Sequence, residues 1–474
     1  MKFKPSFTSQ LPKIPLLDRV TPEVFLRYDN PNDKPLRPLE IPASMRFRHV
    51  YIAGSTRHGK STLMEHMIAQ DMQNGEGLTL LDPKGDLADS VVNRVPRHRI
   101  NDCIFIDVKN PVPINLMSWS DENERQTLMA DINQTFMRFS TMAAGDQWGS
   151  ILRWTIYTLL SARKVCFLDL YYFFADQDRH DSIIDLVRKN NVDGLYDDIL
   201  HYWKNEFPKL KSPREGPILT RMSTFTTSPP LKKLLGTPDA ELDIFRCMEE
   251  RKILIVKLIG AGKANGNDVG ALITSKIQQS AFRRNSKPKD SLVPHFFYAD
   301  EFQNFQTSDF DGILSEAGGF KLGLTLANQG LYQLETKIKQ SIFANVTAAR
   351  IAFHLSHEDV SNWKHILPTN PNDEPDRISI DPDQLSNLPP HYAFFKIGNE
   401  EGLIVHTPAP LPPPSREQMQ IAEEIKANTL SRYGKAATSA TTGQNRTGNS
   451  TSCNPLSTSH SEEDEPQPTG ERRP

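Results

Sequence analysis

Cysteine is scarce in this chain. The four present, Cys103, Cys166, Cys247 and Cys453, lie far apart with no C-x-x-C pair. That argues against both a disulfide framework and a cysteine zinc site, and it suits a reducing cytosol. An excess of one charge is lacking too. The formal net charge is −3 over 474 residues, so no bulk basic field advertises nucleic acid, and any DNA contact must come from local basic groups. No long apolar run is present: the most apolar stretch, residues 151–174, is broken by Arg153, Arg163, Lys164 and Asp169, which excludes it as a membrane span. Met1-Lys2-Phe3-Lys4-Pro5 leads into polar, proline-broken sequence, so the expectation is no signal peptide and a soluble, cytoplasmic protein. The thirteen histidines are scattered. His354 and His357, three apart near an expected strand end, read as solvated imidazoles rather than metal ligands. There is no internal repeat.

What is present is a phosphate-binding loop. Residues 54–61 match G-x-x-x-x-G-K-[ST] without a mismatch: Gly54, Ser55, Thr56, Arg57, His58, Gly59, Lys60 and Ser61, followed by Thr62. The glycines let backbone N–H groups turn around phosphate oxygens, where a side chain would block the approach. Lys60 is expected to reach the β- and γ-phosphates of ATP, and the Ser61 hydroxyl to hold Mg²⁺. His49-Val50-Tyr51-Ile52-Ala53 reads as a buried strand before the loop. Thr62-Leu63-Met64-Glu65-His66-Met67-Ile68 reads as a helix start after it, with its positive end toward the phosphates.

Short apolar runs recur along the chain. Leu78-Thr79-Leu80-Leu81-Asp82 and Cys103-Ile104-Phe105-Ile106-Asp107 come first. Lys252-Ile253-Leu254-Ile255-Val256-Lys257-Leu258-Ile259, His295-Phe296-Phe297-Tyr298-Ala299, Leu322-Gly323-Leu324-Thr325-Leu326-Ala327 and Ala349-Arg350-Ile351-Ala352-Phe353 follow. Separated by helical segments, they predict a mostly parallel sheet covered on both faces. Residues 119–235 break that rhythm. Leu128, Ile132, Phe136 and Phe139, then Leu152, Ile156 and Leu159, then Tyr196, Ile199, Leu200 and Trp203 recur at helical spacing. The expected organisation is therefore an extended arm over residues 1–45, an α/β unit over 46–118 and 236–410, and an inserted all-helical segment over 119–235. Residues 411–474 are expected to hold one short helix within 415–433 and then a disordered tail, since that composition cannot bury enough surface to fold.

The run before Asp300-Glu301 ends in two adjacent acids, the partners that a phosphate loop needs. Asp300 is expected to take part in holding Mg²⁺, and Glu301 to polarise the attacking water. Gln329, closing the run Leu322 to Asn328, is positioned to sense the γ-phosphate. Asp82-Pro83-Lys84-Gly85-Asp86 reads as a turn on the same sheet edge. Residues 260–268, rich in glycine with Lys263 as their cation, read as a flexible loop that a pore could use. Arg283-Arg284 reads as a solvated helix end.

Taken together, residues 54–62, Leu81-Asp82-Pro83-Lys84-Gly85-Asp86-Leu87, Pro113-Ile114-Asn115-Leu116, Tyr298-Ala299-Asp300-Glu301-Phe302-Gln303-Asn304-Phe305 and Ser315-Glu316-Ala317 leading to Gln329 resemble the TraD/TraG-type coupling ATPases of conjugative type IV secretion, within the HerA/FtsK group of DNA-pumping P-loop motors. The resemblance spans residues of about 46–410. It implies a RecA-like P-loop NTPase fold, ATP and Mg²⁺ as cofactors, and a homo-hexamer around DNA that works with a relaxase or relaxosome and with secretion components. By position it makes Lys60 and Ser61 Walker A, Asp300 and Glu301 Walker B, and Gln329 the sensor. Two features depart from it. Membrane-anchored members carry transmembrane helices, and the sequence shows none. The arginine that reaches a neighbour's nucleotide in that group is Gly318 here, with Lys321 or Arg350 as possible substitutes, although lysine is a point charge and not a planar fork. Two other readings stand beside the coupling ATPase: a HerA-like translocase partnered with a nuclease, and a nucleotide-gated scaffold that binds secretion or relaxosome proteins without pumping.

Overall fold

The computed structural model describes residues 17–19, 38–39, 41–138, 146–210, 215–306, 310–368, 380–400 and 402–434. The expectations for the rest of the arm, for Phe139 and for the tail beyond residue 434 lie outside the described residues.

The apolar runs assemble into one sheet. Its strands are β1 (Leu17–Arg19), β2 (Pro38–Leu39), β3 (Val50–Ala53), β4 (Gly77–Asp82), β5 (Cys103–Asp107), β6 (Ile253–Lys257), β7 (His295–Ala299), β8 (Leu322–Asn328), β9 (Ala349–Ala352), β10 (Tyr392–Ile397) and β11 (Leu403–His406). Their order is β2-β1-β11-β10-β9-β3-β8-β7-β4-β6-β5. From β9 to β5 every pairing is parallel, while β9-β10-β11-β1-β2 pair antiparallel and finish one edge. Strands β3, β4, β7, β8 and β9 are buried along their whole length, which is why they read as unbroken apolar runs instead of alternating ones. The run from Lys252 is a strand only over Ile253–Lys257.

Parallel pairing carries the chain back across the sheet each time, so the C-terminal ends of β3, β4, β6, β7 and β8 share one edge. Gly54, Pro83, Leu258, Asp300 and Gln329 follow those ends directly.

Between β5 and Ile253 the described chain is helical, from Glu122–Arg138 through Asp146–Ala162 to Ile244–Glu249. Its apolar stripes, among them Leu128, Ile132, Leu152, Ile156 and Leu159, join one continuous core with Ile104, Val256, Leu272 and Phe297 from the sheet and the helix Lys263–Phe282. A second core, around Leu63, Ile68, Leu80, Val91 and Ile351, fills the other face. At the C-terminal side Ser415 and Gln418 form a reciprocal capping box that starts the helix Arg416–Tyr433. This helix buries Ile421, Ala422 and Ile425, and its Thr429 hydroxyl accepts from the Phe105 N–H of β5 at 3.1 Å. Among the described residues no helix is long and apolar enough to cross a membrane.

Two expectations need correction. Arg284 is not a solvated helix end. The chain leaves the helix Lys263–Phe282 through a short 3-10 turn, Arg283–Ser286, that aims Arg284 inward. It is fully buried, 2.8 Å from the Glu249 carboxylate, and donates to the carbonyls of Val293 and Phe320. Nor are residues 260–268 a loop throughout. Only 258–262 are irregular, because Lys263 already begins that 20-residue helix and Asp268 is tied to Arg221.

Candidate functional site

The phosphate loop leaves β3 at Ala53 under tight constraint. Gly54 has φ 147°, and its N–H donates to the Gln329 carbonyl at 3.2 Å. A Cβ on Gly54 would sit 2.5 Å from the Cβ of Phe353, so only glycine passes. Ser55 donates its N–H to the His354 carbonyl at 2.8 Å, which ties the loop to the end of β9. Thr56 and Arg57 are exposed, and Arg57 takes a left-handed turn at φ 67°. The His58 ring stacks on His354 with centroids 4.6 Å apart. Gly59, at φ 113°, caps the helix Lys60–Gln73, whose free N–H groups and positive end face the loop. Ser61 at the start of this helix is exposed, so its hydroxyl is open to a ligand, and Thr62 behind it is half-buried.

Lys60 is buried, and its ammonium donates to the carbonyls of Gly54 at 2.6 Å and Ser55 at 3.2 Å. Burial lowers its pKa, while the charges of Asp300 and Glu301 oppose that shift. The ammonium spans the concave side of the loop, where phosphate oxygens can replace the two carbonyls as acceptors.

The acids stand two strands away. Asp300 follows β7, donates its N–H to the Leu81 carbonyl at 3.2 Å, and accepts from the Glu301 N–H at 3.0 Å. Burial pushes its carboxyl up to about 6, with the charges of Glu301 and Asp82 adding to the shift. Glu301 sits at φ 49°, a left-handed conformation that a β-carbon normally avoids, which marks a backbone held for a purpose. It is buried, and burial alone would raise its pKa. Donation from Lys84, Gln303 at 2.9 Å and Gln329 at 3.3 Å outweighs burial and keeps it below the usual range.

Sequence reasoning left the turn after β4 without a role. In the structure its Asp82 accepts from the N–H groups of Lys84 and Ala88, both at 2.9 Å, which shapes the turn and starts the helix Asp86–Val92. The turn thereby delivers Lys84 to Glu301 as an ion pair. Phe353, His354, Gln303 and Lys84 are the neighbours that the motifs did not reveal. They come from three strand ends, β9 for Phe353 and His354, β7 for Gln303 and β4 for Lys84, and the sheet order brings those ends together.

Among the described residues no group of three or more metal-ligating side chains is preassembled. The donor set nonetheless fits one hard cation bound together with phosphate oxygens. Ser61 offers a hydroxyl, and Asp300 offers a buried carboxylate whose neighbours are acids, so that a divalent ion can take the place of its proton.

Lys321 and Arg350, considered as substitutes for an arginine that reaches a neighbour's nucleotide, lie away from the phosphate loop of their own chain. Lys321 precedes β8 and so lies at the opposite sheet edge, 4.9 Å from the Phe47 ring. Arg350 is buried within β9 and donates to the Phe343 carbonyl at 2.6 Å.

No family pattern and no curated protein matches this chain. Solved structures do. A bacterial conjugative coupling protein, TrwBdeltaN70 in complex with sulphate, aligns with TM-score 0.56 at 15% identity, over 85% of this chain and 96% of that one. Plasmid coupling protein TrwB in complex with ADP and Mg²⁺ aligns with TM-score 0.55 at 14% identity, over 85% and 96%. The same protein with a non-hydrolysable ATP analogue gives 0.53 at 16%, over 84% and 96%. At such identity the likeness is in the path of the backbone, and it shows that this chain has the RecA-like P-loop NTPase fold found in the TrwB coupling proteins.

Proposed function

We propose that this chain is a Mg²⁺-dependent ATPase that moves DNA, acting as a coupling protein that delivers DNA or a relaxase–DNA complex to a conjugative type IV secretion channel. The observation that carries the reading is the convergence of a complete phosphate loop with Glu301 and Gln329 on one sheet edge, in a fold shared with TrwB. The nucleotide and metal in the TrwB complexes belong to that protein, and here they support the choice of ATP and Mg²⁺.

In this reading the main-chain amides of residues 54–62 and Lys60 hold the β- and γ-phosphates. Ser61 and Asp300 hold the metal, whose charge offsets that of the phosphates. Glu301 takes the proton of the attacking water, and Gln329 orients that water or the γ-phosphate. A homo-hexamer around DNA, cytoplasmic and reaching the inner face of the membrane through relaxosome and secretion partners, completes the proposal. Residues 46–118 and 236–410 would be its motor and 119–235 its helical insert.

The test is ATP turnover of the full chain with and without single- and double-stranded DNA, alongside Lys60→Ala and Glu301→Gln. Lys60→Ala is expected to lose nucleotide affinity. Glu301→Gln is expected to bind ATP and turn it over about 10²–10⁴ times more slowly. A confirmed hexamer whose turnover ignores DNA would remove the pumping reading and leave the scaffold.

A further inference from the structure

Three of the roughly four acceptor positions of the Glu301 carboxylate are engaged. Oε1 accepts from Lys84 and from Gln329, and Oε2 accepts from Gln303. A general base needs an open lone pair aimed at the water, and the Lys84 ammonium occupies one on Oε1 and holds the carboxylate in place. The conformation described is therefore a restrained one. The restraint is lopsided: the Glu301 side chain is 4% exposed and that of Lys84 is 47% exposed, so the lysine is the partner free to leave.

What would draw it away lies in the opening that Lys84 and Glu301 both line. There the ends of β4, β6, β7 and β8 open a cleft of about 570 Å³. No residue of the 54–62 loop lines it, and it meets the phosphate loop through Gln329, whose carbonyl accepts from the Gly54 N–H. Lys84 and Lys263 supply its cations, Asn267, Gln303, Asn304, Gln329 and Gln333 its amides, and among the described residues the only carboxylate on its wall is Glu301, paired with Lys84. Lys263 is exposed and makes no ion pair among the described residues. Ile259, 42% exposed beside it, offers an apolar lip for a sugar or base. Cations, neutral amides and one apolar edge suit a phosphodiester backbone. The volume is that of a pocket for a small molecule, about 300–1,000 Å³, which admits a short stretch of one strand and not a duplex.

We propose that Lys84 is a positioning residue that restrains Glu301 until a phosphodiester of a single DNA strand, seated in this cleft beside Lys263, takes the Lys84 ammonium and frees Glu301 for the attacking water. This rests on Glu301 being the base, as in the function proposed above.

The experiment measures ATP turnover of the full chain against a single-stranded oligonucleotide, with Lys84→Met, Lys84→Arg and Lys263→Ala. Lys84→Met is expected to raise turnover without DNA by about tenfold, a small part of what a general base supplies. It should also lose most of the stimulation by the oligonucleotide. Lys84→Arg, which can re-form the pair, should bring turnover without DNA back down. Lys263→Ala should weaken oligonucleotide activation and lower its log–log salt slope by about 0.7. Lower turnover without DNA in Lys84→Met, or undiminished stimulation, would overturn the restraint. Equal activation of the unaltered chain by heparin would overturn the assignment of the cleft to a nucleic-acid strand. Failure of the underlying reading looks different: Glu301→Gln would then turn over like the unaltered chain.

Discussion

The side-chain amide of Gln329 donates to Glu301 Oε1 at 3.3 Å, and the main-chain carbonyl of the same residue accepts from Gly54 at the mouth of the phosphate loop. One residue thus touches both halves of the candidate site, which are otherwise far apart in sequence. Its main-chain contact survives a change of side chain, so Gln329→Ala should spare the loop. It should slow ATP turnover by about 10²-fold, as loss of one preorganised polar contact does, with ATP affinity within a few-fold of the unaltered chain. Titration with a fluorescent ATP analogue, set beside steady-state rates, separates the two. A large loss of affinity with unchanged turnover would place Gln329 in ground-state binding.

Asp300 trades stability for function. Its folded pKa of about 6 lies above the ordinary aspartate value, so folding favours the protonated form. That advantage is fully present below the unfolded pKa of about 3.9 and is lost as pH rises through about 6. At pH 7.5 the ionised carboxyl therefore costs the fold on the order of 3 kcal/mol. Asp300→Asn keeps an oxygen to accept from the Glu301 N–H and removes the charge. Urea unfolding of the nucleotide-free chain should show the variant more stable by that amount at pH 7.5, with the gain shrinking as pH falls from 6 toward 4. Mg²⁺-dependent turnover should vanish in the same variant. A variant that is less stable at pH 7.5 would contradict burial as the dominant influence on the Asp300 carboxyl.

The parts of the site that were legible in the sequence are those whose chemistry is contiguous. The eight residues from Gly54 to Ser61 carry their function in their spacing, and the acids Asp300-Glu301 stand out because a charged pair closes an apolar strand. The parallel strands were legible because they are buried on both faces. Lys84, Phe353 and His354 were not, because no apolar run states which strand lies beside it. The hairpin of β10 and β11 escaped notice, since neither strand ends in residues with any chemistry to flag it. Arg284 misled for a related reason. A charge that ends a helix is usually solvated, and its burial depends on Glu249, brought in from another helix.

The resemblance drawn from the sequence expects an arginine where this chain has Gly318, and the structure says why arginine does not simply fit there. A Cβ there would lie 2.1 Å from the Phe47 carbonyl oxygen, which is backbone and cannot rotate aside. Gly318→Arg should therefore lower the unfolding free energy by about 1–3 kcal/mol, the usual cost of forcing atoms into a packed position. It should also leave turnover no higher. A variant of undiminished Tm with faster hydrolysis would mean that the turn Arg46–Arg48 yields readily and that the arginine reaches a neighbour.

Arg284 is the sharpest test of the packing. Its guanidinium is wholly buried between the helix Ile244–Glu249 and the segment before β7, paired with Glu249 and bonded to the carbonyls of Val293 and Phe320. Lys287 also reaches Glu249, so the carboxylate is shared by two cations. Removing one member of a buried pair leaves the other uncompensated, which typically costs about 3–5 kcal/mol. Two freed carbonyls add to the loss in Arg284→Met, while the remaining Lys287 contact reduces it, so about 3 kcal/mol is expected. Arg283→Met next door changes an exposed side chain, 4.1 Å above the Phe245 ring, and should cost under about 1 kcal/mol. Equal destabilisation of the two variants in urea would mean that both arginines are solvated, as their sequence alone implied, and that the inward turn at Arg284 is wrong.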